Sequence, residues 1–334
     1  MNIRKLVKPN IRSLKAYHAE EIPCRVKLDA NESPYGSRVL KSVMTNRYPD
    51  PEASALRKIV AKEYKVRPEN LLHGNGSDEL IYNLIAAFGG PVLFPVPTFS
   101  MYGIIAQVLG EKSTGVPLDK KFDIDTKEFL KNMNRRKPGL IFLSSPNNPT
   151  GNCFSYSRIL KIIKESKGLV IVDEAYQPYS EKNKFLPLLG KYKNLVILRT
   201  LSKIGLAGLR VGFMAADTDI INEVNKVRLP FNLNSLSQQV AIEALKDKKK
   251  MNSGIRSIIS ERKKLLREMR KIKGMKTYPS DANFILFKVR DADKVYNSLL
   301  GKGILIRNMK GIFEGCLRVT VGTPKENSDF LSAL

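Results

Sequence analysis

Apolar residues in this chain come in short unbroken runs: PVLFPV at 91–96, GLIFLSS at 139–145, GLVIVDE at 168–174, NLVILRT at 194–200 and LRVGFMAA at 209–216. A strand covered on both faces requires such a run, whereas a strand with one wet face alternates. The runs are separated by amphipathic helical patterns, so the region between residues 70 and 215 predicts a mostly parallel sheet with helices on both faces.

Beyond it come helical stretches around 217–248 and 250–272, and then strand-like runs NFILFKV at 283–289, GILIR at 303–307 and CLRVTVG at 316–322. Fewer and shorter elements fit a second, smaller α+β unit. A length of 334 residues agrees, because single cores stop growing at roughly 250–300 residues. The expected division is an N-terminal arm and small-domain segment over 1–37, a large α/β domain over 38–230 and a small C-terminal α+β domain over 231–334. No Gly/Ser linker or repeat separates them, so they should pack closely.

Composition narrows the classes. Hydrophobic residues at 43% and charged residues at 27% exclude a disordered or fibrous chain. No stretch approaches the roughly 18 apolar residues that span a bilayer, and MNIRKLVKPNIRSLKAY has no signal-peptide core, so a cytoplasmic protein without membrane contact is expected. Cys24, Cys153 and Cys316 are too scattered for zinc or disulfides and read as reduced thiols. The formal charge of +25 raises nucleic-acid binding. The excess is spread along the chain, however, and Lys248-Lys249-Lys250 lacks interleaved aromatics, so a solvated surface that steers small anions is expected instead.

The chemistry-bearing segments sit where apolar runs end. LLHGNGSDELIYNLIAAF at 71–88 joins a strand to a helix through Gly74, Gly76, Ser77 and Asp78, and free N–H groups at such a helix start favour a phosphate. SPNNPTG at 145–151 makes a sharp loop at a strand's C-terminal end, where open α/β sheets bind ligands and where Asn148 can present an amide. VDEAY at 172–176 and RTLSK at 199–203 end two further strands with a carboxylate, Asp173, and an amine, Lys203. A carboxylate can keep a pyridinium nitrogen protonated and turn its ring into an electron sink, while an amine can form an imine.

GNGSDE, SPNNPTG, VDEAY and LRTLSK, followed by AGLRVGF at 207–213, resemble the fold type I aminotransferases that depend on pyridoxal 5′-phosphate (PLP). LDANESPYG at 28–36, RYPDP at 47–51 and CLRVTVGTPKEN at 316–327 narrow the resemblance to the histidinol-phosphate aminotransferase branch. It spans nearly the whole chain and implies the PLP-dependent transferase fold, a large domain with a mostly parallel sheet between helices and a smaller α+β domain.

The resemblance further implies that Lys203 holds PLP covalently and shuttles the proton, and that Asp173 pairs with the pyridine nitrogen. It gives Tyr176 and Asn148 the 3′-oxygen, and Ser77, Asp78, Thr200, Ser202 and Arg210 the phosphate, with Tyr48 reaching that phosphate from the other subunit of a homodimer. Arg318 would take the donor's α-carboxylate, Arg307 and Tyr17 the substrate phosphate, and Asn31 lies among the substrate-binding positions. One feature departs: in SKIGLAGLR, Arg210 stands one residue closer to Lys203 than in the common family pattern, which demands a tighter loop. His18 and His73 match no catalytic position and read as structural.

The implied reaction is reversible transamination, exchanging histidinol phosphate and 2-oxoglutarate for imidazole acetol phosphate and L-glutamate. An aromatic aminotransferase or a threonine-phosphate decarboxylase on the same scaffold remains open, as does, more distantly, a basic nucleic-acid-binding protein without catalysis.

Overall fold

The structure, a computed structural model, describes residues 24–29, 31, 33–35, 48–182 and 184–334. A short strand, β1 (Val26–Lys27), is followed by the seven strands of the large sheet: β2 (Leu71–Asn75), β3 (Val92–Val96), β4 (Ser113–Pro117), β5 (Leu140–Ser144), β6 (Leu169–Asp173), β7 (Leu195–Thr200) and β8 (Val211–Ala215). Their order is β2-β8-β7-β6-β5-β3-β4. Strands β3 to β7 run parallel, and β8 is antiparallel to both of its neighbours. The five apolar runs fall on β3, β5, β6, β7 and β8.

Successive side chains on a strand point to opposite faces, and the sequence fills both. On one face Ile141, Leu143, Val170, Val172 and Ile197 pack with α1 (Ser54–Tyr64) and its neighbours. On the other, Leu140, Phe142, Ile171, Val196 and Leu198 meet α2 (Gly76–Phe88) and α3 (Met101–Val108). Further helices are α4 (Thr126–Arg136), α5 (Tyr156–Glu165) and α6 (Thr218–Asn225).

The helical stretch expected at 217–248 is broken. It forms α6 and then α7 (Ser235–Lys246), because Pro230 has no N–H to donate and Phe231 sits at φ 59°. Ala241, Ala244 and Leu245 of α7 join the large core. By contrast, α8 (Lys248–Met269) sends Ile258, Leu265 and Met269 into a separate core. That second core lies under a four-stranded antiparallel sheet of β9 (Lys276–Thr277), β10 (Phe284–Lys288), β12 (Arg307–Asn308) and β13 (Cys316–Thr320), in the order β12-β13-β10-β9. Between β10 and β13 lie α9 (Ala292–Gly301) and β11 (Ile304–Leu305), and the chain ends in α10 (Pro324–Ala333). The run GILIR is therefore two strands: β11 pairs in parallel with β1, and after Ile306 the chain passes to β12.

The parallel register sets the tips of the central strands side by side. Ser144 lies opposite Asp173, and Asp173 opposite Leu198. All that follows in the chain after these tips, at 145–151, 174–176 and 201–203, is delivered to one edge of the sheet.

Candidate active site

Asp173 ends β6 and is 4% exposed. Its Oδ1 accepts the Ala175 N–H at 3.0 Å and its Oδ2 the Tyr102 hydroxyl at 2.6 Å. Burial outweighs these donors and pushes its carboxyl up to about 6. A buried carboxylate of this kind is stabilised by a cation set against it.

Lys203 stands in a one-turn 3-10 helix, Ser202–Ile204, just beyond β7. Its backbone carbonyl accepts the hydroxyl of the fully buried Tyr179. Its ammonium lies 6.0 Å from the centroid of the Tyr176 ring. The Tyr176 hydroxyl accepts from Asn31 Nδ2 at 3.2 Å, and Asn31 is held in turn by Thr320 and Asn283. Asn31 adopts φ 55°, a left-handed conformation that asparagine tolerates.

Arg318, on β13, closes the site from the smaller sheet. It donates to Asn148 Oδ1 at 2.5 Å and to the Asp29 carbonyl at 3.0 Å, with its guanidinium 5.2 Å from the centre of the Phe284 ring. Arg307 is its direct partner in the antiparallel β12–β13 pair, so both side chains leave the same face. Like charges directly opposite repel, and an anion bound between them removes that cost.

A third group surrounds the start of α2. Gly76, at φ 80°, leaves room for Arg210: a Cβ there would meet Arg210 Nη2 at 2.5 Å. Arg210 itself turns at φ 53° and reaches Asp78 Oδ2 at 3.0 Å and Ser202 Oγ at 3.3 Å. The shorter loop after Lys203 is thus closed by a left-handed residue, and the guanidinium still arrives at the helix start. Thr200 donates to Ser202 Oγ at 2.9 Å, and Gly212 lies so close beneath that a Cβ would fall 2.5 Å from the Ser77 nitrogen. Hydroxyls, a guanidinium and free N–H groups facing one point make an anion cradle.

Of the remaining expected residues, Tyr48 is 82% exposed and stacks on Phe231 with centroids 4.6 Å apart. Tyr17 lies outside the described residues, as does His18. His73 is buried beside Arg228, and burial, with the charges of Arg228 and Arg57, lowers its imidazole to about 4. A free histidine protonates near 6.5, so between these values the unfolded chain binds the extra proton and stability falls as pH drops. Asp173, with its raised value, acts in the opposite direction over about the same window. The difference between the protein and a His73→Gln variant isolates the histidine: urea titrations should show the variant losing about 2 kcal/mol less between about pH 7 and pH 5. Equal losses would mean that the folded protein carries the imidazolium.

Sequence reading missed Tyr102, Tyr179 and Phe284, whose contacts with Asp173, Lys203 and Arg318 are all long-range. Aromatic residues inside apolar segments read as core, and these three are buried.

A strand-tip carboxylate and lysine beside an anion cradle, closed by an arginine pair from a second sheet, is an arrangement for amine chemistry on a phosphorylated ring cofactor. The model of the aminotransferase class I and II family matches residues 16–334, and the chain belongs to that family. It is 44% identical to the histidinol-phosphate aminotransferase of Aquifex aeolicus, over 98% of this chain and 97% of that one. It is 40% identical to the histidinol-phosphate aminotransferase of Caldanaerobacter subterraneus, over 99% and 98% respectively. The fold superposes on histidinol-phosphate aminotransferase from Sinorhizobium meliloti, a complex with pyridoxal-5′-phosphate, with a TM-score of 0.87, 23% identity and 98% of this chain covered.

Proposed function

We propose that the protein is a PLP-dependent transaminase that exchanges histidinol phosphate and 2-oxoglutarate for imidazole acetol phosphate and L-glutamate, a step of histidine biosynthesis. The observation that carries this reading is Arg318, bonded to Asn148 in the loop after the β5 tip, with Arg307 its direct partner on β12. Histidinol phosphate brings one phosphate and L-glutamate two carboxylates, so a pair of guanidinium groups can serve both donors, and the relatives quoted above carry this activity in their names.

The residues fit PLP. The Gly76–Arg210 cradle suits its phosphate, the buried Asp173 its ring nitrogen, and Asn148 with Tyr176 its ring oxygen. When bound, PLP supplies a carbonyl that takes up the amine and a ring that accepts the electrons left at Cα. Lys203 Nζ takes the proton from the substrate Cα and returns it on the cofactor side, as a general base and then a general acid. With L-glutamate bound, Arg318 holds the α-carboxylate so that the Cα–H bond, and not the bond to the carboxylate, is presented for cleavage.

The reading extends to a cytoplasmic homodimer acting on small soluble molecules, with no nucleic-acid or membrane partner. Supporting the dimer is an exposed apolar group of Tyr48, Leu229, Phe231 and Leu236, with Tyr48 available to a second copy's phosphate cradle. Supporting a solvated basic surface are local ion pairs such as Lys264–Glu261 and Lys271–Glu268. Among the described residues no helix is long and apolar enough to cross a membrane. We place the boundary of the small domain after α7, since α7 joins the large core and α8 the small one.

The test replaces one arginine. Arg307→Ala is expected to lower kcat/KM for histidinol phosphate by about 30- to 100-fold while changing that for a phosphate-free aromatic amine donor by less than about threefold. Equal losses on both substrates would remove Arg307 from phosphate recognition, and release of carbon dioxide from threonine phosphate without transamination of histidinol phosphate would make the protein a decarboxylase.

A further inference from the structure

We propose that Tyr102 is a positioning residue for the cofactor: its phenol locks the Asp173 carboxylate in the orientation that receives the ring nitrogen. The proposal rests on the reading of Asp173 given above. Tyr102 belongs to α3, on the face of the sheet opposite the α1 side, and its side chain is fully buried. Its oxygen is 2.6 Å from Asp173 Oδ2. An ionised carboxylate only accepts, so the phenol donates. With the Ala175 N–H on Oδ1 at 3.0 Å, each carboxylate oxygen has its own donor, and the group cannot turn about its last bond without breaking one of them.

The phenol is itself immobile. Its ring stacks on Phe142 with centroids 4.8 Å apart and 13° between planes, and meets the edge of Phe99 at 5.6 Å and 86°. Phe142 belongs to β5, the strand next to β6, so the packing of α3 on the sheet sets where the hydroxyl lies. The remaining groups that act on these two side chains are the Ser144 hydroxyl and Tyr176 on the phenol, and the charges of Asp78 and Lys203 on the carboxylate. Burial alone favours the neutral acid at Asp173; the phenol favours the charged form that a protonated ring nitrogen needs. A tyrosine placed only to fill the core would need an acceptor, but any acceptor would serve. Here the acceptor is the carboxylate at the middle of three adjacent strand tips.

The experiment is a double-mutant cycle read on PLP affinity and on the bound cofactor's absorbance, without substrate. Tyr102→Phe keeps the ring and its stacking, and the apoprotein is expected to unfold at nearly the temperature of the parent. Its dissociation constant for PLP should rise about tenfold, and the pH at which the bound cofactor's absorption changes form should shift. In the Asp173→Asn background, which removes the buried charge, the same change should alter affinity by less than about twofold. Equal losses in both backgrounds, or no loss in the parent, would overturn the proposal while leaving the site reading intact. Failure of the parent protein to bind PLP at all would overturn both.

Discussion

Replacing Lys203 by alanine is expected to abolish covalent attachment of PLP and to lower the transamination rate by at least about a thousandfold. The expectation follows from placement. Lys203 is the first amine beyond the β7 tip, in a turn whose carbonyl is tied to Tyr179, and its ammonium lies 6.0 Å from the Tyr176 ring centre. A proton moved between two carbons of a bound complex needs one base held over both, and a base free in water cannot match that effective concentration. Reduction with borohydride followed by peptide mass analysis reads the attachment: label on the Lys203 peptide in the parent and none in Lys203→Ala. Label found on another lysine would displace Lys203 from the centre of the site.

Asp173→Asn is expected to cost about two to three orders of magnitude in kcat/KM, because it removes the buried anion while keeping its shape. Its pH behaviour separates charge from packing. Burial holds the free carboxyl at about 6. As pH falls through that value the carboxylate gains a proton, and the pairing with a protonated ring nitrogen is lost. PLP affinity of the parent should therefore weaken as pH falls below about 6 and strengthen above it, whereas the Asn variant should show a flat profile over the same range. A parallel decline in both proteins would assign the pH dependence to the cofactor's own groups.

The strands that carry the site were legible because burial on both faces leaves an unbroken apolar run, as in LIFLS at β5 and LVIVD at β6. The edge strand β4, STGVP, was not legible, since only Val116 of it is buried and no run forms. GILIR misled as one strand, because nothing local marks Ile306 as the point where the chain changes sheets. At the site, Asn148, Asp173, Lys203 and the α2 start could be found in the sequence because each follows a strand with a turn or cap. Tyr102 could not: 71 residues separate it from Asp173, and its helical setting reads as core. The shortened loop before Arg210 was visible as a missing residue, but not its solution, left-handed turns at Gly205 and at Arg210 itself, nor the space that Gly76 leaves on another element for the guanidinium.

The central claim is tested most directly by two half-reactions on the PLP-loaded protein. Adding L-glutamate should bleach the absorbance of the PLP form with release of 2-oxoglutarate. After removal of glutamate, imidazole acetol phosphate should restore that absorbance with one equivalent of histidinol phosphate formed, detected by mass. Restoration only by keto acids that lack a phosphate, or no bleaching by glutamate, would contradict the account.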